Sequence, residues 1–320
     1  MKKHFYKNIL CIIILTLLLF EKNASAQTDI DAIMMGKNRL CIGPMYNYSS
    51  WKNYWEGTMK RDNQNLGTVS TQTYSVMGNY GVTDKLNLLF GVPYIKTNAS
   101  AGTMKGMQGV QDLSLFVKWM PIEKEMLGGV FSLYGVGGVS FPLTNYVADY
   151  MPLSIGMRSK TATGRLMADY QTGSFFVTAS GTYILRDKIK IDRTSYYTTQ
   201  MHYSNDVTIP DGGNINVRSG IRNERLIAEA VLNSFTTYGG FDISRNNMPF
   251  PSNKMNVTTV GINFKYVVLP RKNEVSIAGG YNTIVAGRNV GQASSVYGSI
   301  YYVMDFTRKL SSSHQADKTN

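Results

Sequence analysis

The sequence predicts an all-β protein, an antiparallel up-and-down transmembrane β-barrel of about 12 strands, and three observations carry that prediction. About eleven runs of alternating residues, with one more strand ahead of the first loop, give an even strand number. The gaps between them alternate between short turns and long loops, as bacterial outer-membrane barrels with tight periplasmic turns and longer outer loops require. Many runs reach roughly ten to fifteen residues, where ordinary strands average about five or six and tilted membrane strands need about nine to eleven.

Taken in order, residues 1–26 form an expected export signal. Lys2, Lys3 and Lys7 precede an almost wholly apolar stretch from Ile9 to Phe20, and Asn23-Ala24-Ser25-Ala26 ends in an A-x-A pattern. The apolar stretch is only about a dozen residues long, short of the roughly twenty that a spanning helix needs. Residues 27–35 are a lead-in, 36–306 the outer-membrane β-barrel, and 307–320 a polar C-terminal tail. Short connections are expected at Val82–Asp84, Ile122–Glu125, Gln171–Gly173, Arg222–Arg225 and Pro270–Asn273. The longest loops are Lys188–Gly213 and Gly240–Asn253.

Strands turn successive side chains to opposite faces, so a wall in lipid alternates apolar outward with polar or small inward. Leu113, Leu115, Val117 and Trp119 oppose Asp112, Ser114 and Lys118, with Phe116 the exception. Val260, Ile262, Phe264, Tyr266 and Val268 oppose Gly261, Asn263 and Lys265. A soluble sandwich would show the same stripes; the loop rhythm, strand length and aromatics favour the barrel. Tyr80, Tyr94, Tyr170, Tyr183, Tyr238, Tyr281 and Tyr302 fall toward strand ends, where an interfacial girdle would sit. A lipid-facing Arg or Lys near the midplane costs about 2–4 kcal/mol. The charged residues on the alternate face are therefore candidates for lining the lumen: Arg39, Asp112, Lys118, Arg165, Asp169, Arg186, Glu229, Lys265 and Asp305. Paired across the bore, the same charges would plug it instead.

The formal charge of +12 falls to +9 once the signal's four lysines and Glu21 are removed. The remaining cations are scattered along strands and loops, a pattern suited to acidic lipid headgroups rather than nucleic acid. Expected partners are outer-membrane lipid, a small-molecule solute and the machinery that inserts barrels, with no nucleic acid. The mature part keeps one cysteine, Cys41, so no intramolecular disulfide forms.

One segment is more specific. Tyr80-Gly81-Val82-Thr83-Asp84 is followed by Val92-Pro93-Tyr94 and then by Gly109-Val110-Gln111-Asp112-Leu113 with Lys118. Residues 74–120 thereby resemble the outer-membrane transporter family named after the meta-pathway of phenol degradation. The resemblance implies a barrel related to channels for hydrophobic compounds. Pro93 lacks an amide hydrogen and sits poorly in a central strand, which makes it the candidate interruption of the wall. It marks a lateral exit or a simple strand end.

No catalytic constellation is legible, and the expectation is that the protein is not an enzyme. Nucleophilic hydrolysis needs a base held beside the nucleophile by a third group, whereas the mature chain has only His202 and His314. His202 with Asp206 could imitate a protease pair, though a solvated loop pair is the ordinary reading. Cys41 and two separated histidines do not make a closed metal cluster, and no cofactor or metal is expected. Gly135-Val136-Gly137-Gly138 follows a strand but opens no helix, so it reads as a smooth patch of wall. Tyr196, Tyr197 and Tyr203 in one long loop, with Phe241 and Phe250 in the other, would suit an apolar or aromatic solute. The expected function is passive uptake of a small, hydrophobic or aromatic solute. The alternatives are a structural or adhesive barrel with a plugged lumen, and a barrel hydrolase.

Overall fold

The computed structural model describes residues 28–244, 248–269 and 274–307. The expected export signal, the turn at Pro270–Asn273 and His314 lie outside the described residues. The alternating runs form twelve barrel strands, here β1 (Arg39–Trp51), β2 (Val69–Thr83), β3 (Leu86–Ala99), β4 (Asp112–Met126), β5 (Gly129–Pro142) and β6 (Thr161–Thr172). They continue as β7 (Phe175–Arg186), β8 (Gly212–Arg222), β9 (Leu226–Thr237), β10 (Asn256–Leu269), β11 (Val275–Arg288) and β12 (Ser294–Asp305). Each is antiparallel to the next, and β1 pairs with both β2 and β12, so the sheet closes without a free edge.

The two faces decide between barrel and sandwich. Leu166 is 70% exposed and Ile215 and Ile262 are 65% exposed on outward positions, while inward Lys118 is 0% exposed. A soluble protein buries its large aliphatics and exposes its lysines; this wall does the reverse, as one bathed in lipid must. The aromatic residues Tyr46, Tyr74 and Tyr94 lie side by side on neighbouring strands of the outer face, with ring centroids 5.0 and 6.5 Å apart.

One boundary differs from the one the sequence suggests. Ile122–Glu125 is not a turn: those residues continue β4 and pair with Leu133–Val130. The reversal comes at Leu127 and Gly128, whose φ values of 51° and 77° make the kind of two-residue connection that matches strand twist. Pro121 coincides with a register shift between Trp119 and Ile122 rather than an end, and the charged run Glu123-Lys124-Glu125 is an exposed extension of the strand. Phe116, which breaks the apolar-outward pattern of β4, faces inward over Gly138, where a Cβ would stand 2.1 Å from its ring.

The loops at the opposite rim pack on themselves. Ala148, Ile189, Ile191, Val207 and Ile209 make one apolar cluster, with Tyr196 and Phe250 against it. Leu66, Val69 and Leu153 make another.

Candidate functional site: lumen plug and wall seam

The chain ahead of β1 enters the bore. From Thr28 to Gly36 it has no strand pairing, so its carbonyls need partners from the wall. Lys118 supplies them from β4: its ammonium donates to the carbonyl oxygens of Thr28 (2.5 Å), Asp31 (2.8 Å) and Ile33 (3.3 Å) and to the Asp31 carboxylate at 3.1 Å. A lysine ammonium has three donors; here the plug provides every acceptor. On β6, Arg165 donates to the carbonyl and carboxylate of Asp29 at 2.5 and 2.9 Å, and is steadied by Thr182 Oγ1 at 2.7 Å. Tyr134 on β5 donates to the Ala32 carbonyl at 2.9 Å.

Apolar contacts complete the attachment. Ala32 packs with Met120, Tyr134 and Met167, and fully buried Met35 packs with Cys41, Tyr301 and Val303. The segment leaves the bore at the turn rim, where the Lys37 amide donates to Asp84 and the Asn38 amide to the Gly81 carbonyl. Asp84 thus belongs to a short turn and also anchors the plug.

The other sequence-selected residues have different neighbours. Asp169 accepts from Arg222 at 3.0 Å and from Thr178, and Glu229 accepts from Arg218 at 2.7 Å and Asn263 at 2.9 Å. Lys265 lies 3.9 Å from the Glu274 carboxylate. Arg186 donates to the Pro210 carbonyl and lies over the Phe235 ring, while Asp112 accepts from Tyr146 of a loop at 2.6 Å. Arg39 and Asp305 face each other as register partners at the opposite, turn rim. Lys118 and Arg165 are therefore brought together on the plug, whereas Arg39, Asp112, Arg186 and Asp305 stay at the two ends. Asp29, Asp31, Arg218 and Arg222 were passed over in the sequence. Arg218 and Arg222 sit on the inward parity of β8 and were legible by the same alternation.

The wall is not uniformly sewn. β3 and β4 pair from Leu86↔Trp119 to Gly91↔Ser114 and stop there. Beyond that point Pro93 has no amide to give; its carbonyl accepts from Gln111, and Tyr94–Lys96 pair instead with a short strand at Gln108–Val110. A cavity of about 280 Å³ lies at this seam, bounded by Thr28 and Asp29 of the plug, by Leu89 and Phe116 on the inner side, and by Phe90 and Val92 on outward positions. Val92 also borders a furrow of about 690 Å³ on the outer face, lined by Tyr46, Tyr74, Tyr94 and Pro44. Pro44 falls in the stretch where β1 and β12 skip two pairs, between Ile42↔Tyr302 and Met45↔Ser299.

His202 finds Thr198 Oγ1 at 2.9 Å rather than Asp206, and its ring stacks on Tyr196 with centroids 4.8 Å apart. The protease-like pairing is absent from the described residues. No group of three metal-ligating side chains occurs among them.

No family model and no curated protein matches the chain. Among solved structures it is similar to the COG4313 outer membrane channel from Pseudomonas putida F1, at 12% identity over 88% of this chain and 100% of that one, with a TM-score of 0.68. The translocator domain of autotransporter NalP from Neisseria meningitidis follows at 11% identity, 87% and 91% coverage and a TM-score of 0.44. The TodX deltaS2S3 mutant monoaromatic hydrocarbon channel gives 8% identity, 85% and 91% coverage and a TM-score of 0.40. Only the first superimposes well enough to bear on architecture, and at that identity the likeness is one of fold. The chain has the fold of a closed twelve-stranded outer-membrane β-barrel.

Proposed function

We propose that the protein is an outer-membrane channel of a Gram-negative bacterium for passive uptake of a small, hydrophobic or aromatic solute, with the Thr28–Gly36 segment closing the bore and the β3–β4 seam serving as the exit. The observation that carries this reading is the seam cavity. It touches the plug on one side and Phe90 and Val92 on the other, and Val92 adjoins a tyrosine-lined furrow facing lipid. An apolar molecule that reaches the lumen can leave sideways into acyl chains, which is downhill, instead of crossing the charged turn rim. The segment resembling hydrophobic-compound transporters includes both edges of this seam, Val92-Pro93-Tyr94 and Asp112-Leu113. The inward charges would act in this scheme as plug anchors rather than as a conducting lining.

A cysteine staple tests the exit. Gly91→Cys with Ser114→Cys joins the last register pair below the gap. Cells carrying the oxidised form should take up a labelled alkylbenzene several-fold more slowly than cells carrying the reduced form, with rates restored by reductant. Equal rates would refute the lateral exit. The second reading, a structural barrel with a plugged lumen, is favoured by the plug's ion pairs to Lys118 and Arg165; uptake no faster than in cells lacking the protein would select it.

A further inference from the structure

On the far side of the plug from Lys118, strands β8–β11 and β1 leave a lumen cavity of about 550 Å³, within the roughly 300–1,000 Å³ range of small-molecule sites. Six side-chain amides border it, those of Asn47, Asn214, Asn216, Asn233, Asn263 and Asn282, beside six charged side chains. An amide carries two donors and an accepting oxygen, the complement of a hydroxyl group.

We propose that this cavity binds the uncharged, hydroxyl-rich head of an amphiphilic solute whose apolar tail lies toward the β3–β4 seam; the inference rests on the channel reading and specifies its substrate class.

Three observations support it independently. The amides are seated rather than scattered. A Cβ at Gly261 would stand 2.0 Å from Asn282 Oδ1, and one at Gly280 would stand 2.3 Å from Asn263 Oδ1. Neither glycine has a positive φ, so what glycine provides there is room for an amide against the wall. Buried polar atoms are ordinarily paired, yet Asn214 Oδ1, Asn263 Oδ1 and the 3% exposed Lys265 ammonium make no hydrogen bond. Among the side chains bordering the cavity, two acceptors and a donor are thus left without a hydrogen bond.

Charge then narrows the ligand. Of the charged side chains bordering the space, Arg218 is charge-paired with Glu229, Arg222 with Asp169, Asp29 with Arg165 and Asp31 with Lys118, and Lys265 has Glu274 at 3.9 Å. An ionic head would find no uncompensated partner, whereas hydroxyls would satisfy the free amide oxygens and accept from Lys265. Thr28, Asp29 and Met77 border both this cavity and the seam cavity, so head and tail sites adjoin.

The test is calorimetric titration of the full-length protein in lipid nanodiscs with hexyl glucoside below its micellar concentration, beside hexanol, glucose and hexyl sulfate. The wild type should give saturable binding of hexyl glucoside. The double variant Asn216→Leu/Asn263→Leu should weaken it at least about tenfold, the scale of lost hydrogen bonds to a buried polar ligand, and leave the weak hexanol signal unchanged. Gly280→Ala, which displaces the Asn263 amide without removing it, should weaken it less and serves where the double variant fails to show heat-modifiable migration. Unaltered binding in the variants, absence of a saturable signal in the wild type, or hexyl sulfate binding as tightly would each overturn the proposal. Alkylbenzene uptake persisting in the wild type alongside any of these would confine the failure to the head site and leave the channel reading standing.

Discussion

On the β4–β6 side of the lumen, inward Lys118, Tyr134 and Arg165 reach across to Thr28–Ile33 and close upon it. On the β8–β11 side the inward residues bond chiefly to one another: Asn216 to Asn233, Arg218 to Asn216 and Glu229, and Asn263 to Glu229. The same alternation builds both stretches. The difference lies in what the cations find. Where no wall carboxylate answers them, Lys118 and Arg165 recruit backbone carbonyls and Asp29 and Asp31 from the lead-in, and the lumen fills. Where Glu229 stands two positions along the neighbouring strand from the register partner of Arg218, the pair neutralises itself on the wall and the lumen stays open. Occlusion of a barrel is thus a matter of which side supplies the counter-charge.

The largest break in that comparison should come from Lys118→Met. It removes the cation facing the Asp31 carboxylate and three plug carbonyls in a buried setting, and breaking a buried pair in this way costs about 3–5 kcal/mol. The plug should leave the bore, seen as raised single-channel conductance and new protease cleavage within 28–36. Unchanged conductance would mean that Arg165 and the Met35 contacts suffice. On the other wall, Arg218→Leu leaves Glu229 buried without its partner and should also cost about 3–5 kcal/mol, whereas Arg218→Leu combined with Glu229→Leu should recover most of it. Because that pair never touches the plug, urea unfolding should shift while the conductance stays near wild type.

Much of this was legible in the sequence, for a physical reason. A strand in lipid has one job per face, so parity alone predicts that Lys118, Arg165, Asp169, Glu229 and Lys265 turn inward, and in the structure the side chains of all five are buried. Parity does not report counter-charges. The lead-in Thr28–Gly36 has no period, and nothing local marks it as a plug; Asp31 and Asp29 acquire meaning only when Lys118 and Arg165 are seen 87 and 136 residues downstream of them. The amide cavity is illegible for a related reason. An asparagine on a lumen-facing position resembles every other polar residue there until Gly261 and Gly280 are found beneath two of them. The misplaced turn at Ile122–Glu125 has the opposite cause: Pro121 and three charged residues look like a chain reversal, but the exposed end of a strand beyond a register shift tolerates both.

The two faces of one strand can be set against each other with Leu115→Arg. Leu115 points outward, next to inward Ser114 and Phe116 on β4. A charge there should cost about 2–4 kcal/mol near the midplane, visible as loss of the heat-modifiable folded band in a urea series. Leu113→Arg, nearer the loop rim, should cost less because the penalty falls toward the interface. Equal penalties at both positions would contradict the assigned depth.

The smallest effect concerns how the loop rim is tied, and it depends on pH. Asp242 accepts from Arg288 Nε at 2.7 Å and Nη2 at 2.5 Å and from Asn289 Nδ2 at 2.7 Å. Asn289 in turn accepts from the amides of Gly57 and Ile243, so one carboxylate organises three connections. The Arg288 hydrogen bond holds the Asp242 carboxyl below its ordinary value. A depressed carboxylate contributes its stability above the unfolded-state value and loses it as pH falls through the folded-state value; the tie should therefore be constant from neutral pH down to the ordinary carboxylate range and open only below it. Trp55, packed beside Gly287 next to this junction, reports the change by fluorescence once Trp51 and lipid-facing Trp119, the other two tryptophans, are replaced by Phe. The effect should be small, because the pair is exposed and screened by salt. Asp242→Asn should remove the acid transition entirely, and a transition that persisted in that variant would assign it to another carboxylate of the loop rim.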